Sequence, residues 1–330
     1  MKPLTYLTLL IATSMTGLGA VFPDMVSVKE GQQVNAFQIG KAEVTWAKWK
    51  TVRDWAATQG YDISTAGLGS GEEHPVHSVS WHDAIKWLNA ASELDCMTPV
   101  YKVAGQVYKS GQSIPTIDPN ADGYRLPTEI EWEWAARGGL NTQGYTYSGS
   151  NTLADVGWYE ANSSGAAVDM GGGHGTWPAR SKQPNELGLY DMSGNIAEWC
   201  WDADGSNRRY RGGNWWDNPA YCTVTFRGYA APDAFHHSRG FRPARNRLPT
   251  LDEIQYPVTR DWMEIKVPEA LANPDPDAKR VIPVVVINYL SSKDGTFVKQ
   301  VFDWGVVDSS GQLVENLLIS EMNKYMLLFV

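Results

Sequence analysis

The sequence predicts an irregular α+β fold, a few short capped helices in a loop-rich framework, with a small β-containing extension at the C-terminal end. Three observations predict it. Fifteen tryptophans and 31 glycines stand in a chain of 330 residues, a combination suited to irregular segments pinned by large rings. Helical periodicity with start signals occurs in only three stretches of the first 140 residues. Residues 140–186 are rich in glycine and serine with few periodic segments, a length of loop that a compact domain tolerates only if something holds it, such as ions and aromatic rings.

The first twenty residues, MKPLTYLTLLIATSMTGLGA, read as a secretory signal. Lys2 gives the positive start, Leu4 to Met15 the apolar run, and Gly17, Gly19 and Ala20 the small residues that follow. The alternative is a buried N-terminal strand. The run is short for a membrane span, no later segment looks transmembrane, and no cysteine stands near the cleavage region to carry a lipid. A secreted or periplasmic location is expected, without stable membrane insertion.

Residues 24–44 read as short strands. TWAKWKTVRDWAATQG follows as a helix, with Thr45 as N-cap, Trp46, Trp49 and Val52 on one face, and Gly60 as the left-handed stop. In VSWHDAIKWLNAASEL, Ser80 and Asp83 form a capping-box pattern, and Trp81, Ile85 and Leu88 make the apolar stripe. Residues 98–123 read as a hairpin insertion. Thr128 and Glu131 box the start of a third helix, with Pro127 before it and Gly138 and Gly139 as its stop. RYRGGNWW, CTVTFRGY and SRGFRPAR, within 209–245, read as strands and turns. The domain expected from these elements covers 24–247. A polar, proline-containing linker is expected over 248–280, and a β-rich segment over 281–330 that ends on an apolar run and suggests a longer chain.

The net charge of −9 argues against phosphate tracking, so no nucleic-acid partner is expected. The cysteines are Cys96, Cys200 and Cys222. In an oxidising compartment one disulfide and one free thiol is the simplest count, with Cys200–Cys222 the preferred pair, although spacing alone does not fix it. GLYDMSGNIAEWCWD, at 188–202, mixes carboxylates, an amide and glycines. It reads either as a calcium-holding loop or as a polar turn without metal.

Several blocks, EVTWAKW, HPVHSVSWHDAIKWLN, YRLPTEIEWEWAARGG, PNELGLYDMSGNIAEW, RYRGGNWW and RGFR, occur in the order found in the formylglycine-generating enzyme, or sulfatase-modifying factor, family. The chain resembles that family over about residues 37–245. The resemblance implies a C-type-lectin-like fold with little regular secondary structure. It implies a structural calcium held by the side chains of Asp191, Asn195 and Glu198 and the Ser193 carbonyl. A second calcium site would fall near Asp155 and Val156, with Gly171 in place of an acidic partner and Asp169 nearby. The family activity is oxygen-dependent conversion of a sulfatase cysteine to formylglycine, with copper held by two cysteines.

Cys222 matches the second of those cysteines, Asp217 stands at the first, and Asn214 replaces a catalytic-site serine. Two thiolates select copper(I), and one thiolate with one carboxylate is an incomplete pair. The resemblance therefore makes Cys222 and Asp217 the candidate catalytic residues. It makes Trp216, Phe235, His236 and His237 the candidate substrate-binding residues, with Arg242 and Trp215 expected to be structural. Two functions stay open. One is a formylglycine-generating-type oxidoreductase acting on a sulfatase or other protein substrate. The other is a non-catalytic lectin-like module whose 214–238 loops bind a peptide, protein or glycan.

Overall fold

Local side-chain bonds set the helix starts. In the computed structural model the Thr45 hydroxyl accepts from the Lys48 N–H at the head of α1 (Trp46–Thr58). Full capping boxes open α2 (Trp81–Leu94), between Ser80 and Asp83, and α3 (Glu129–Ala136), between Thr128 and Glu131. Each box satisfies two backbone donors that the first helical turn cannot. Gly60 and Gly138 follow their helices at φ 83° and 87°, where a Cβ would be strained.

The structure describes residues 21–22, 24–31, 33–246 and three C-terminal strands. The expected signal segment 1–20 and linker 248–280 lie outside the described residues. The chain divides into two units, 1–248 and 249–330. In the first, the strands are β1 (Met25–Val28), β2 (Phe37–Gly40), β3 (Tyr101–Val103), β4 (Gln106–Val107), β5 (Thr116–Ile117), β6 (Ala197–Asp204), β7 (Asn207–Arg211), β8 (Gly228–Ala230), β9 (Arg239–Gly240) and β10 (Ala244–Asn246). They form three small sheets of order β1-β2-β10, β4-β3-β5 and β8-β7-β6-β9. All pairings are antiparallel except β6 with β9, where Ala197 pairs with Arg239. The second unit's strands β11 (Val286–Ser291), β12 (Phe297–Val307) and β13 (Leu313–Leu317) pair as an antiparallel meander. No described helix is long and apolar enough to cross a membrane.

The α2 stripe is wider than its periodicity predicts. Trp81 through Ser92 are buried apart from Asp83, Lys86 and Asn89 included. Asn89 explains how a polar residue sits there: its amide donates to the Tyr101 carbonyl and its oxygen accepts from the Tyr101 N–H. Trp49 and Trp87 stack at 5.6 Å within the same core. Their indole N–H groups donate to the Ala66 and Trp49 carbonyls. Trp81 and Trp199 likewise donate to Cys200 and Val79. Each ring therefore fills the core and ties down irregular backbone at once.

Residues 140–186 contain only the end of a 3-10 turn at Gly139–Asn141 and a four-residue helix, α4 (Leu153–Val156). The Trp158–Trp177 stack, 4.2 Å between ring centres, and the Asn185 amide bonded to Ala135 and Ser148 hold this stretch.

CTVTFRGY holds a turn and a strand, as its sequence reads: residues 222–227 make the turn, and Gly228–Ala230 pairs. One expectation is corrected. The Cys200–Cys222 disulfide is not formed, and all three cysteines are free thiols. Cys200 is enclosed with Phe37, Trp132 and Met192 in a core layer, whereas Cys222 ends the short turn Pro219–Tyr221. Its sulfur packs on Gly213, where an added Cβ would lie 2.8 Å away.

Candidate functional site

The residues expected to hold calcium lie on the turn before β6 and on its first residues. Asp191 and Asn195 adopt φ 57° and 59°, a region that asparagine and aspartate tolerate best. Glu198 is fully buried and bidentate to Arg242, with Oε1 and Oε2 each 2.6 Å from a guanidinium nitrogen. The Trp132 indole N–H also donates to Oε2 at 2.7 Å. The Asn195 amide donates to Glu43 and to the Trp177 carbonyl, and its oxygen accepts from the Trp177 N–H. The Ser193 carbonyl is pressed onto Gly157, where a Cβ would approach to 2.0 Å.

Asp191 Oδ2 accepts from the Arg180 N–H, and Oδ1 alone is buried without a partner. Calcium needs six to eight oxygens. One free side-chain oxygen, beside a carboxylate already filled by a guanidinium, does not provide them, and in this arrangement the side chains do not make up a calcium shell. Arg242 supplies the positive charge there. The second expected site fits no better. Asp169 Oδ1 caps the Gly171 and Gly173 N–H groups, and Asp155 is exposed. Among the described residues no group of three or more histidines, cysteines or acids is placed to hold a metal.

Three carboxylates share this interior with one guanidinium. Burial drives the Glu43 carboxyl well above its usual range, and the charges of Asp191 and Glu198 add to it. Burial likewise pushes Asp191 up to about 6. Glu43 accepts from the Ile196 N–H and the Asn195 amide, so it fixes the backbone that leads into β6.

Of the candidate catalytic pair, Cys222 is closed off and Asp217 is half-buried. Cys222 is 0% exposed, and burial first, then the neighbouring Asp217 charge, raises its thiol pKa. A thiol so held stays protonated in the absence of a metal and is a poor nucleophile. Asp217 Oδ2 accepts from the Asn214 N–H at 3.1 Å and from its amide at 2.5 Å. Asn214 Oδ1 in turn accepts from the Trp216 N–H. Burial pushes Asp217 up to about 6. A protonated thiol beside an occupied carboxylate does not fit the soft two-sulfur donor set that copper(I) takes.

Above this pair a cleft of about 330 Å³ opens between Tyr210, Asn214, Trp216, Asp217, Tyr221, Phe226 and the run from His236 to Arg239. Trp216, His236 and His237 lie in it as expected. Phe235 does not: it is 71% exposed and absent from the lining, because the 231–237 loop turns its side chain to solvent. Adjacent histidines on a strand would face opposite ways, but His236 and His237 sit on a turn with their rings 4.0 Å apart. Nδ1 of His236 accepts from the Ser238 N–H and meets its hydroxyl at 2.7 Å. His237 leans on Trp215, which is buried as expected. Below them, burial with help from His237 and His74 pushes His77 down to about 4, so it is neutral.

Sequence reasoning missed Tyr210, Ser238 and Arg239. Arg239 belongs to RGFR, a motif that it shares with Arg242. The available signal was that two arginines in one short motif cannot both find the same buried partner.

The model of the sulfatase-modifying factor enzyme 1-like domain matches residues 15–247. A relative described as the chaperone protein LppX, from Paenibacillus barcinonensis, is 31% identical over 72% of this chain and 95% of its own length. The formylglycine-generating enzyme of Thermomonospora curvata is 31% identical over 59% of this chain, which spans 64% of that enzyme. The solved structure of CarF superposes with a TM-score of 0.59 at 33% identity, over 68% of this chain and 98% of that one. The match over most of the chain and the shared loop-rich architecture establish that this protein belongs to the sulfatase-modifying factor family.

Proposed function

We propose that this chain is a binding member of its family, one that takes a polypeptide segment into the 214–239 cleft without oxidising a cysteine. One observation carries the reading. Of the two family thiolate positions, Cys222 is fully buried against Gly213, and the other is a carboxylate tied to Asn214. The cleft nevertheless keeps a rim suited to peptide: Trp216 is 50% and Tyr221 44% exposed, and aromatic anchors of this kind dominate peptide recognition. A relative described as a chaperone, matched over nearly its whole length, supports a polypeptide partner over a small substrate. The reading includes export, on the strength of the first twenty residues, and mass measurement of the mature N-terminus tests that part.

Incubating the full chain, supplied with copper(I), with a Cys-x-Pro-x-Arg peptide in air tests the absence of oxidation. No aldehyde product is expected, from wild type or from Cys222→Ala. Aldehyde formed by wild type and lost in Cys222→Ala would restore the oxidoreductase reading.

A further inference from the structure

Arg239 stands apart from the other arginines. Among the described arginines it is the one whose guanidinium meets no acceptor. Arg125, Arg211 and Arg242 all reach carboxylates, and Arg208 reaches the Trp201 carbonyl. Arg239 instead lies over the rings of Trp199 and Tyr210, 5.2 and 5.5 Å from their centres, and its Nη1 is buried without a partner. Strand pairing of β9 with β6 fixes the backbone that carries it.

A planar cation held by aromatic faces keeps its in-plane donors free and correctly spaced for a carboxylate. The surroundings offer it none. Ser238 is bonded to His236, and Asp217 is bonded to Asn214 and makes no ion pair with Arg239. Leaving a partly desolvated guanidinium unpaired is unfavourable, so the cleft in its free state is short of one anion. A neutral glycan would leave that shortage in place, whereas a carboxylate would fill it.

We propose that Arg239 anchors a carboxylate of the bound polypeptide, so that the cleft selects segments bearing an acidic side chain or a free C-terminus. The proposal rests on the polypeptide reading above and adds the chemistry that the cleft selects. Trp216 and Tyr221 take the apolar part of the segment.

The test uses the full chain and three labelled peptides that share one tryptophan, followed by fluorescence anisotropy. One carries glutamate and an amidated end, one carries glutamine and a free end, and one carries glutamine and an amidated end. At least one of the two carboxylate peptides should bind about tenfold or more tightly than the neutral one, and which of them does so identifies the source of the carboxylate. Arg239→Gln should remove that preference, while Trp216→Ala should weaken all three peptides. Equal binding of the three to wild type, or a preference that survives Arg239→Gln, would overturn the anchor and leave the polypeptide reading standing. Binding of no peptide, or of a neutral oligosaccharide in their place, would overturn both.

Discussion

Arg239 and Arg242 begin and end the same four-residue motif, yet they live in opposite conditions. Arg242 is fully buried and fully answered: Glu198 takes two of its donors, and the Gly40 and Tyr190 carbonyls take others. The nearby carboxylates hold its proton more tightly against the effect of burial. Arg239 rests on rings, and its charge is disfavoured by burial. The difference teaches that pairing, rather than burial or residue type, separates an arginine that holds the fold from one poised toward a ligand.

The largest effect expected from breaking this contrast is at Arg242. Arg242→Met leaves Glu198 uncompensated in the interior and should cost about 3–5 kcal/mol, measured by urea denaturation. A loss under about 1 kcal/mol would show that Glu198 finds another partner. At Asp191 the sign is reversed. Its folded pKa of about 6 lies above the 3.8 of a free aspartate, so the native state holds this proton to higher pH than the unfolded chain does. Its contribution is most favourable below about pH 4 and is lost as pH rises toward 6. Asp191→Asn should therefore stabilise the protein at pH 7.5, by on the order of 2 kcal/mol, and flatten the pH dependence in that window. A destabilised variant would mean that the carboxylate is needed, as it would be by a bound cation.

How much of this was legible in the sequence follows the same line between local and distant partners. Thr45, Ser80 and Thr128 were readable because each cap bonds a backbone group three residues along the chain. β6 was not. Ala197 to Cys200 are buried without interruption, so no alternation marks a strand, and Glu198 made the segment look like a polar metal loop. Its partner Arg242 is distant in sequence, and nothing local links the two. The Cys200–Cys222 pairing failed for the related reason that two thiols close in sequence sit in separate surroundings. The resemblance located the cleft but not its chemistry, since Arg239 gains meaning only from what it lacks in three dimensions.

Two smaller effects sharpen the comparison. Arg239→Met should change stability by no more than about 1 kcal/mol, because no bond to an acceptor is lost, and thermal denaturation beside Arg242→Met makes the contrast direct. Removing divalent ions with EDTA should shift the melting temperature by less than about 1 °C, since a cation bound only to the native state is what would link the two. A fall of many degrees would show that calcium enters the Asp191 region and rearranges the Glu198–Arg242 pair.

The sheet that joins β1, β2 and β10 has a consequence in time. Ile39 pairs with Ala244, so one edge of β2 stays open until almost the whole domain has been synthesised. A domain whose earliest and latest strands must meet gains little from folding as it emerges, and contacts so far apart make closure slow. Truncation anywhere before residue 244 would leave that edge exposed, ready to recruit a strand from another chain.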